Sequence, residues 1–318
     1  MSITKNHQTT QVLHQLCADA FPCKAVSGIT ELTEGMFNAA YRVDFTDGSA
    51  SVLKIAAADA SGLLSNEIHL MQAEVTAMRI LRAQGFLLVP QVQYVDFSHT
   101  RCSGSYFFMA CLNGRSFSAC RSELSEDVID RVHTQVGVFQ RRMAAIRSDA
   151  FGLLGDERRF PALYELIRYL FKNVLRDAQA RSIQLPMTAD TLLSLLEADH
   201  AVFDEVKTSS LVHWDMWEGN IFVTQGELSG VIDWERAMWG EPLMDDRFRR
   251  HNRPAAFLAG YGQTTFSPAE QRRLAWYDLF LYLTMVVESF YRQYEHIEGT
   301  LAWLHPLLGA AWAEVQRR

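Results

Sequence analysis

The sequence predicts an α+β fold: a small five-stranded antiparallel sheet carrying one helix, followed by a larger, mostly helical part with a short β-hairpin set into it. Three observations predict it. From Ile29 to Gly114, apolar and polar residues alternate in short runs separated by turn signals, the pattern of half-buried strands. From Ser125 onward the apolar residues recur at helical spacing. One β-rich island, Ser210 to Trp234, interrupts those helices. The chain has 318 residues, more than one compact core usually holds. It therefore divides into two lobes, residues 1–112 and 113–318.

Each element has its own signal. Gln11 to Ala20 reads as a short helix. Thr30-Glu31-Leu32 leads through Gly35 to the alternating run Ala40 to Phe45. Asp47-Gly48 is a hairpin turn, and Ser51 to Ile55 returns as a strand. Asn66 to Gln84 reads as a helix on Leu70, Ala73, Ala77, Ile80 and Leu81, stopped by Gly85. Gln91 to Phe97 and Ser105 to Leu112 complete the sheet, and Asn113-Gly114 closes it. The later helices are expected over Ser125 to Ile146, Pro161 to Gln179, Ala189 to Val206, Pro254 to Tyr261, Pro268 to Tyr294 and Thr300 to Gln316. In the island, two apolar strands flank a turn at Gln225-Gly226.

Composition narrows the function classes. Apolar residues make up 48% and charged residues 21%, with a net charge of −7. An acidic balance argues against a nucleic-acid partner, because phosphate contacts need concentrated Lys and Arg. A single nucleotide needs only local positive charge. The five cysteines, Cys17, Cys23, Cys102, Cys111 and Cys120, show no C-x-x-C pair and are odd in number. That fits reduced cytoplasmic thiols better than zinc ligands or a disulfide framework. The first ten residues are polar, without the apolar core of a signal peptide. The apolar run Leu274 to Val287 is interrupted by Asp278 and is shorter than the roughly 20 residues that span a bilayer, so it reads as a buried helix and no membrane partner is expected.

The chemistry is concentrated in the island. It reads His213-Trp214-Asp215-Met216-Trp217-Glu218-Gly219-Asn220, then Ile232-Asp233-Trp234-Glu235. Phosphoryl transfer needs a carboxylate to orient and deprotonate the acceptor hydroxyl, and hard oxygen ligands for a metal that bridges phosphates. In kinase catalytic loops, His-x-Asp is followed by four residues and Asn, and later by a metal-binding Asp. Asp215 is thus the candidate base, and Asn220 and Asp233 are the candidate Mg²⁺ ligands. Lys54, inside an apolar strand, requires a partner for its charge. Glu74 on the next helix supplies one, in the manner of the Lys–Glu pair that positions nucleotide phosphates; Glu67 is the weaker competitor. Gly35 permits close backbone approach to a phosphate. Met109 to Leu112, with Met109 and Cys111 as candidate contacts, would offer backbone to the base of ATP or GTP.

These residues resemble the aminoglycoside phosphotransferase family, relatives of choline kinases, fructosamine kinases, and macrolide and hygromycin kinases. Members carry H-G-D-x-x-x-x-N and I-D-W-x-x-A-x-x-G-D-P-x-x-D. Here the first stands as His213-Trp214-Asp215 with Asn220. The second runs from Ile232-Asp233-Trp234 through Ala237, Gly240-Glu241-Pro242 to Asp245. The resemblance covers roughly Leu32 to Asp246 and is weakest at the phosphate loop, which has one glycine with Asn38 three residues on. It implies a protein-kinase-like two-lobe fold and an ATP- or GTP-dependent small-molecule kinase using Mg²⁺. It also implies that Asp245 braces the catalytic loop. Two departures stand out: Trp214 replaces the usual Gly, and Glu241 the usual Asp.

Taken singly, each residue has a plain role: Asp215 as a cap, His213 as a core histidine, Lys54 as a snorkelling edge residue, Asn220 as a turn residue. Their order on the elements is what argues for a kinase. A nucleotide-binding pseudokinase is the rival without turnover. A carboxylate or metal hydrolase built on Asp215, Asp233 and Glu235 is the other rival, and it leaves Lys54 and Glu74 unexplained. Tyr277, Glu288, Tyr291 and Glu295 are candidates to line an acceptor cleft. Arg247, Arg249, Arg250 and Arg253 read as a solvated helix start. Were they to face the cleft, they would disfavour a highly cationic acceptor. The preferred acceptor is a neutral or modestly charged hydroxyl metabolite or sugar, with an aminoglycoside or other antibiotic as the alternative.

Overall fold

A computed structural model describes residues 5–35, 37–58, 61–293 and 297–317. The N-terminal sheet holds β1 (Val26–Leu32), β2 (Ala39–Phe45), β3 (Ala50–Ile55), β4 (Val92–Asp96) and β5 (Tyr106–Ala110), all antiparallel in the order β1-β2-β3-β5-β4. Its two faces bury different elements, as the period of two requires. Tyr41, Val43, Leu53, Ile55 and Phe108 pack with α1 (Thr10–Ala20). Phe107 and Met109 face the other way, towards α2 (Leu70–Ala83) and the rest of the chain. Thr9 caps α1 by accepting from the Val12 N–H.

The remainder is mostly helical: α3 (Phe117–Cys120), α4 (Glu126–Met143), α5 (Leu163–Ala180), α6 (Ala189–Ala198), α7 (His200–Phe203), α8 (Ala255–Tyr261), α9 (Pro268–Arg292) and α10 (Ile297–Gln316). A capping box between Ser267 and Glu270 starts α9, which satisfies two backbone donors at once. Two small sheets carry the β-rich island and its flanks. One joins β6 (Arg115–Ser116), β10 (Ile221–Thr224) and β11 (Glu227–Val231). The other orders β7 (Arg147–Ser148), β9 (Ser209–Val212), β12 (Met238–Gly240) and β8 (Gly152–Leu153) as β7-β9-β12-β8. Gly114, at φ +106°, lets the chain leave the large sheet: a Cβ there would sit 2.4 Å from the Val223 carbonyl oxygen. No helix among the described residues is long and apolar enough to cross a membrane.

The five-stranded sheet, its helix and the β10–β11 hairpin at Gln225-Gly226 agree with the sequence reading. Three details do not. The expected helix from Asn66 begins only at Leu70. Asn66 accepts from the Asn173 amide and donates to the Leu170 carbonyl, and His69 turns left-handed at φ 47°. Side-chain bonding thus competes with helix over these residues. The expected helix Ala189 to Val206 breaks at Asp199, whose carboxylate is drawn to Arg272 and to the Trp276 indole N–H. The arginine-rich segment is not a solvated helix start. It forms two 3₁₀ turns, Asp246–Phe248 and Arg250–Asn252, with Arg247 and Arg249 buried. Arg247 reaches His133 at 2.6 Å and Asn252 at 2.8 Å, while Arg249 lies 3.5 Å from Asp278.

Candidate active site

Lys54 occupies β3 opposite Ala40 and Phe107, on the face turned to α2. Its neighbours Leu53 and Ile55 are fully buried on the opposite face. The ammonium is 2.7 Å from Glu74 of α2, 2.5 Å from Asp233 and 3.3 Å from Glu235. Glu67 is not its partner; that carboxylate accepts from Arg236 at 2.9 Å and Arg292 at 2.6 Å. Asn38, just before β2, donates to Glu235 at 2.6 Å, so its amide is held by a carboxylate in this state. Gly35 lies in the loop between β1 and β2. Met109 is inside β5, paired with Val52 and Val92, and Cys111 follows the strand, its thiol 3.2 Å from the Arg42 guanidinium.

Burial and charge pull this cluster in opposite directions. Burial disfavours the Lys54 ammonium, but Asp233, Glu74 and Glu235 together raise its pKa well above the ordinary lysine value. Burial lifts Glu74 and Glu235, with Lys54 opposing. Burial also acts to lift Asp233, yet the Lys54 ammonium outweighs it and holds that carboxyl below its usual value. Of the three carboxylates around Lys54, Asp233 is the one held below its usual value, and its side chain is 32% exposed. Asp233 sits at φ 65°, starting the turn Trp234–Arg236.

The Asp215 loop is braced from three sides. His213 is buried against Trp234, and burial pushes its pKa down to about 4. The neutral ring donates from Nε2 to the Ile232 carbonyl at 2.8 Å and accepts the Asp215 N–H on Nδ1 at 3.3 Å. Asn220 donates its amide to the Asp215 carbonyl at 2.8 Å, which leaves its Oδ1 as the acceptor for any other partner. Asp245 accepts the Trp214 N–H at 3.1 Å, while the Asp246 N–H donates to the Trp214 carbonyl at 3.0 Å. Burial raises Asp245 to about 7. Asp215 itself is raised well above its usual value by burial, opposed by Arg236 and reinforced by Asp233, Asp246 and Glu288. A carboxylate of raised pKa is a stronger base once ionised.

Both departures from the family pattern have visible accommodations. Trp214 holds φ 75°, a left-handed conformation natural to glycine and strained for a bulky residue. Its buried indole packs near Phe280, with the Arg236 guanidinium 5.2 Å above the ring. Glu241 is buried; its two oxygens share the Arg273 Nε–H at 3.0 Å each, and it takes a 2.5 Å hydrogen bond from the Tyr277 hydroxyl.

Hard oxygen donors suit Mg²⁺, and the residues present fit it: Asp233 is ionised and part-exposed, and the Asn220 amide is oriented by its bond to Asp215. Glu74, Asp233 and Glu235 also place carboxylate oxygens within 4.8 Å of one another. Of the acceptor candidates, Tyr277 is buried against Glu241 and Tyr291 donates to the Asp177 carbonyl, so both serve the core. Glu288 pairs with Arg236 at 2.9 Å. Glu295 lies outside the described residues. Sequence reasoning missed Arg236 and Arg292 as the residues that join Glu67 to this region. Arg236 follows Asp233 closely enough to have been suspected, whereas nothing local marks Arg292, which also stacks 3.7 Å from the Phe37 ring.

Comparison with known proteins agrees with this architecture. The structure resembles a thermostable variant of aminoglycoside phosphotransferase APH(4)-Ia in complex with ADP and hygromycin B: TM-score 0.66, 19% identity, 93% of this chain and 96% of that one. It also resembles the GDP complex of aminoglycoside 2′-phosphotransferase-IIIa: TM-score 0.66, 15% identity, 96% and 99%. A third is the streptomycin–ATP complex of APH(2″)-IIa, at TM-score 0.61, 15% identity, 98% and 97%. At these identities the likeness is one of fold. No curated protein matches the sequence. Residues 28–277 match the profile described as the phosphotransferase enzyme family, and with that span the chain belongs to that family, on the protein-kinase-like fold of the aminoglycoside phosphotransferases.

Proposed function

We propose that this phosphotransferase moves the γ-phosphoryl group of ATP or GTP onto a hydroxyl of a small molecule, with Mg²⁺. The observation that carries the reading is the Lys54 ammonium held between Glu74 and Asp233, on the segment that follows the Asp215–Asn220 loop. A hydrolase built on carboxylates alone has no use for that lysine.

Asp215 orients the acceptor hydroxyl and takes its proton. The acceptor oxygen bonds to the γ-phosphorus, the bond from that phosphorus to the β–γ bridging oxygen breaks, and the electron pair leaves with the nucleoside diphosphate. Asn220 Oδ1 and Asp233 would hold Mg²⁺, which would supply neutralisation of the phosphate charge. Lys54 turns from Asp233 to the α- and β-phosphates, with Glu74 keeping it in place. Gly35 and Asn38 line the phosphate loop, and the chain at Met109 and Cys111 meets the base. The preferred acceptor is an uncharged or modestly charged metabolite. An aminoglycoside is the second reading, favoured by the fold neighbours that carry hygromycin B and streptomycin.

The test is thermal melting with ATP and with GTP, with and without Mg²⁺. A nucleotide at 100 times its Kd stabilises by about 2.7 kcal/mol. A Mg²⁺-dependent rise is expected, together with loss of nearly all turnover in Asp215→Asn. Absence of any rise, or normal turnover in that variant, would overturn the assignment.

A further inference from the structure

Two buried polar residues have no part in the phosphotransfer step. His133 of α4 is 2% exposed, and Arg247, in the arginine-rich segment, is fully buried. A buried guanidinium needs acceptors, and Arg247 finds two: Asn252 Oδ1 at 2.8 Å and His133 Nδ1 at 2.6 Å.

That second contact fixes the imidazole. Arginine has only donors, so Nδ1 of His133 is the acceptor and the proton of the neutral ring sits on Nε2. Burial, with the Arg247 and Arg121 charges, holds the ring's pKa down to about 3. Phe117 packs edge-on against it at 5.2 Å between centroids. The Nε2–H cannot bond Arg121, 3.4 Å away, because both are donors. It faces Glu218 Oε1 at 3.7 Å, and the same oxygen accepts a hydrogen bond from Arg121. Ser116 of β6 pairs with Phe222 of β10, and α3 leads from there to Arg121, which places that guanidinium beside the loop before β10.

Glu218 opens the 3₁₀ turn Glu218–Asn220. The Asn220 N–H closes it on the Trp217 carbonyl at 3.0 Å, and the Asn220 carbonyl takes the Ile232 N–H at 3.0 Å. From the same turn the Asn220 amide reaches the Asp215 carbonyl at 2.8 Å. Arg247 also serves the other end of the loop. Its backbone N–H donates to one oxygen of Asp245 at 3.3 Å, and the other oxygen takes the Trp214 N–H. One buried arginine thus stands between the brace on Trp214 and the brace on Glu218, on either side of Asp215.

We infer that Glu218 is a positioning residue: Arg121 and the His133 ring, itself oriented by Arg247, anchor its carboxylate, and through the turn it opens they fix Asn220 for the metal–nucleotide complex. The inference rests on the phosphotransfer reading above and adds to it the residues that set where the candidate metal ligand stands. Glu218 acts through Asn220 and not on the phosphates. Without the anchor, the turn must be ordered when the metal binds, which costs affinity.

The test uses the full chain and methylanthraniloyl-labelled ADP or GDP, whichever the wild type binds, titrated with Mg²⁺ and again in EDTA. Wild type should bind the Mg²⁺ form more tightly than the metal-free form. Glu218→Ala should weaken the Mg²⁺ form about tenfold and leave the metal-free form within about twofold, as loss of a group that orients a metal ligand does. Arg121→Ala removes a side chain that is 42% exposed, so the variant should fold, and it should shift the Mg²⁺ form in the same direction, with Arg121→Lys recovering most of the loss. An Arg121→Ala protein that binds the Mg²⁺ form as wild type does, or equal weakening of both forms in either alanine variant, would overturn the inference. The wild type separates the two failures. If it binds neither form, or both equally, the Mg²⁺-dependent reading of the site is lost; if it prefers the Mg²⁺ form and the variants keep that preference, only the role of Glu218 is lost.

Discussion

Replacing Trp214 by glycine restores the residue the family usually places between His and Asp, and it should nonetheless destabilise this protein. At φ 75° a side chain costs about 1–2 kcal/mol relative to glycine, which substitution releases. Against that stands the indole, 6% exposed and stacked near Phe280 and Arg236. Truncating a buried Trp costs about 3–5 kcal/mol, and the lost cation–π contact adds about 0.5–1 kcal/mol. The net expectation is a loss of about 2–4 kcal/mol. Urea unfolding with an unchanged m value would measure it. Trp214→Ala isolates the backbone component. At most positions alanine is the more stable of the two by about 0.5–1 kcal/mol. Here the order should invert, with Trp214→Gly the more stable by about 1 kcal/mol. A glycine variant as stable as wild type, or an alanine variant matching the glycine one, would refute the reasoning.

Glu241→Asp, the other return to the family residue, draws the carboxylate away from Arg273 and Tyr277, both buried. A loss of about 2–4 kcal/mol in the same unfolding experiment is expected, and a neutral result would show that the aspartate finds the same partners. His213 contributes to the acid limb of stability: the unfolded imidazole binds its proton near 6.5 and the folded one near 4. The unfolded chain therefore holds more protons between those values. A contribution of about 3 kcal/mol, complete above pH 6.5, is lost as pH falls towards 4. His213→Gln should flatten the stability curve over that window relative to wild type; an unchanged slope would mean that another group titrates there. For turnover, burial raises Asp215 and Arg236 opposes it, so the acid limb of kcat/KM should lie above the ordinary carboxylate range. Arg236→Gln should move that limb further up, and a downward move would contradict Asp215 as the base.

The fold was legible wherever periodicity or turn chemistry had length enough to speak. Asp47-Gly48 and Gln225-Gly226 mark hairpins because their backbone conformations admit few residues, and α2 shows itself through five spaced apolar positions. The two-residue strands β6, β7 and β8 carry no period at all, and they pair only because tertiary packing brings them to β10, β9 and β12. At the site, the Lys54–Glu74 contact follows from a charge buried in an apolar strand. The burial of Arg247 and Arg249 could not be read, because a run of arginines after two aspartates looks the same whether it faces water or His133 and Leu243. Arg292 is the extreme case. Its partner Glu67 is 225 residues away, and only the packing of α9 against the segment before α2 joins them.

The two departures from the family pattern, Trp214 and Glu241, stand 27 residues apart and meet one helix. Arg273 and Tyr277 answer Glu241, Phe280 answers Trp214, and Thr284 continues the same line on the wall of a small pocket it shares with Trp214. Their numbers step by four, three and four, which places all of them along one face of α9. A longer acid and a bulkier ring on the segment from Trp214 to Glu241 therefore require a matching stripe on α9 rather than independent local repairs. The same stripe ends at the Thr284 hydroxyl, which has no hydrogen-bond partner among the described residues. Returning Trp214 to glycine alone would uncover Phe280. Conversely, shrinking Phe280 alone would leave Trp214 in its strained conformation without the packing that holds it there. The identity of the residue between His213 and Asp215 is thus coupled to the packing of α9.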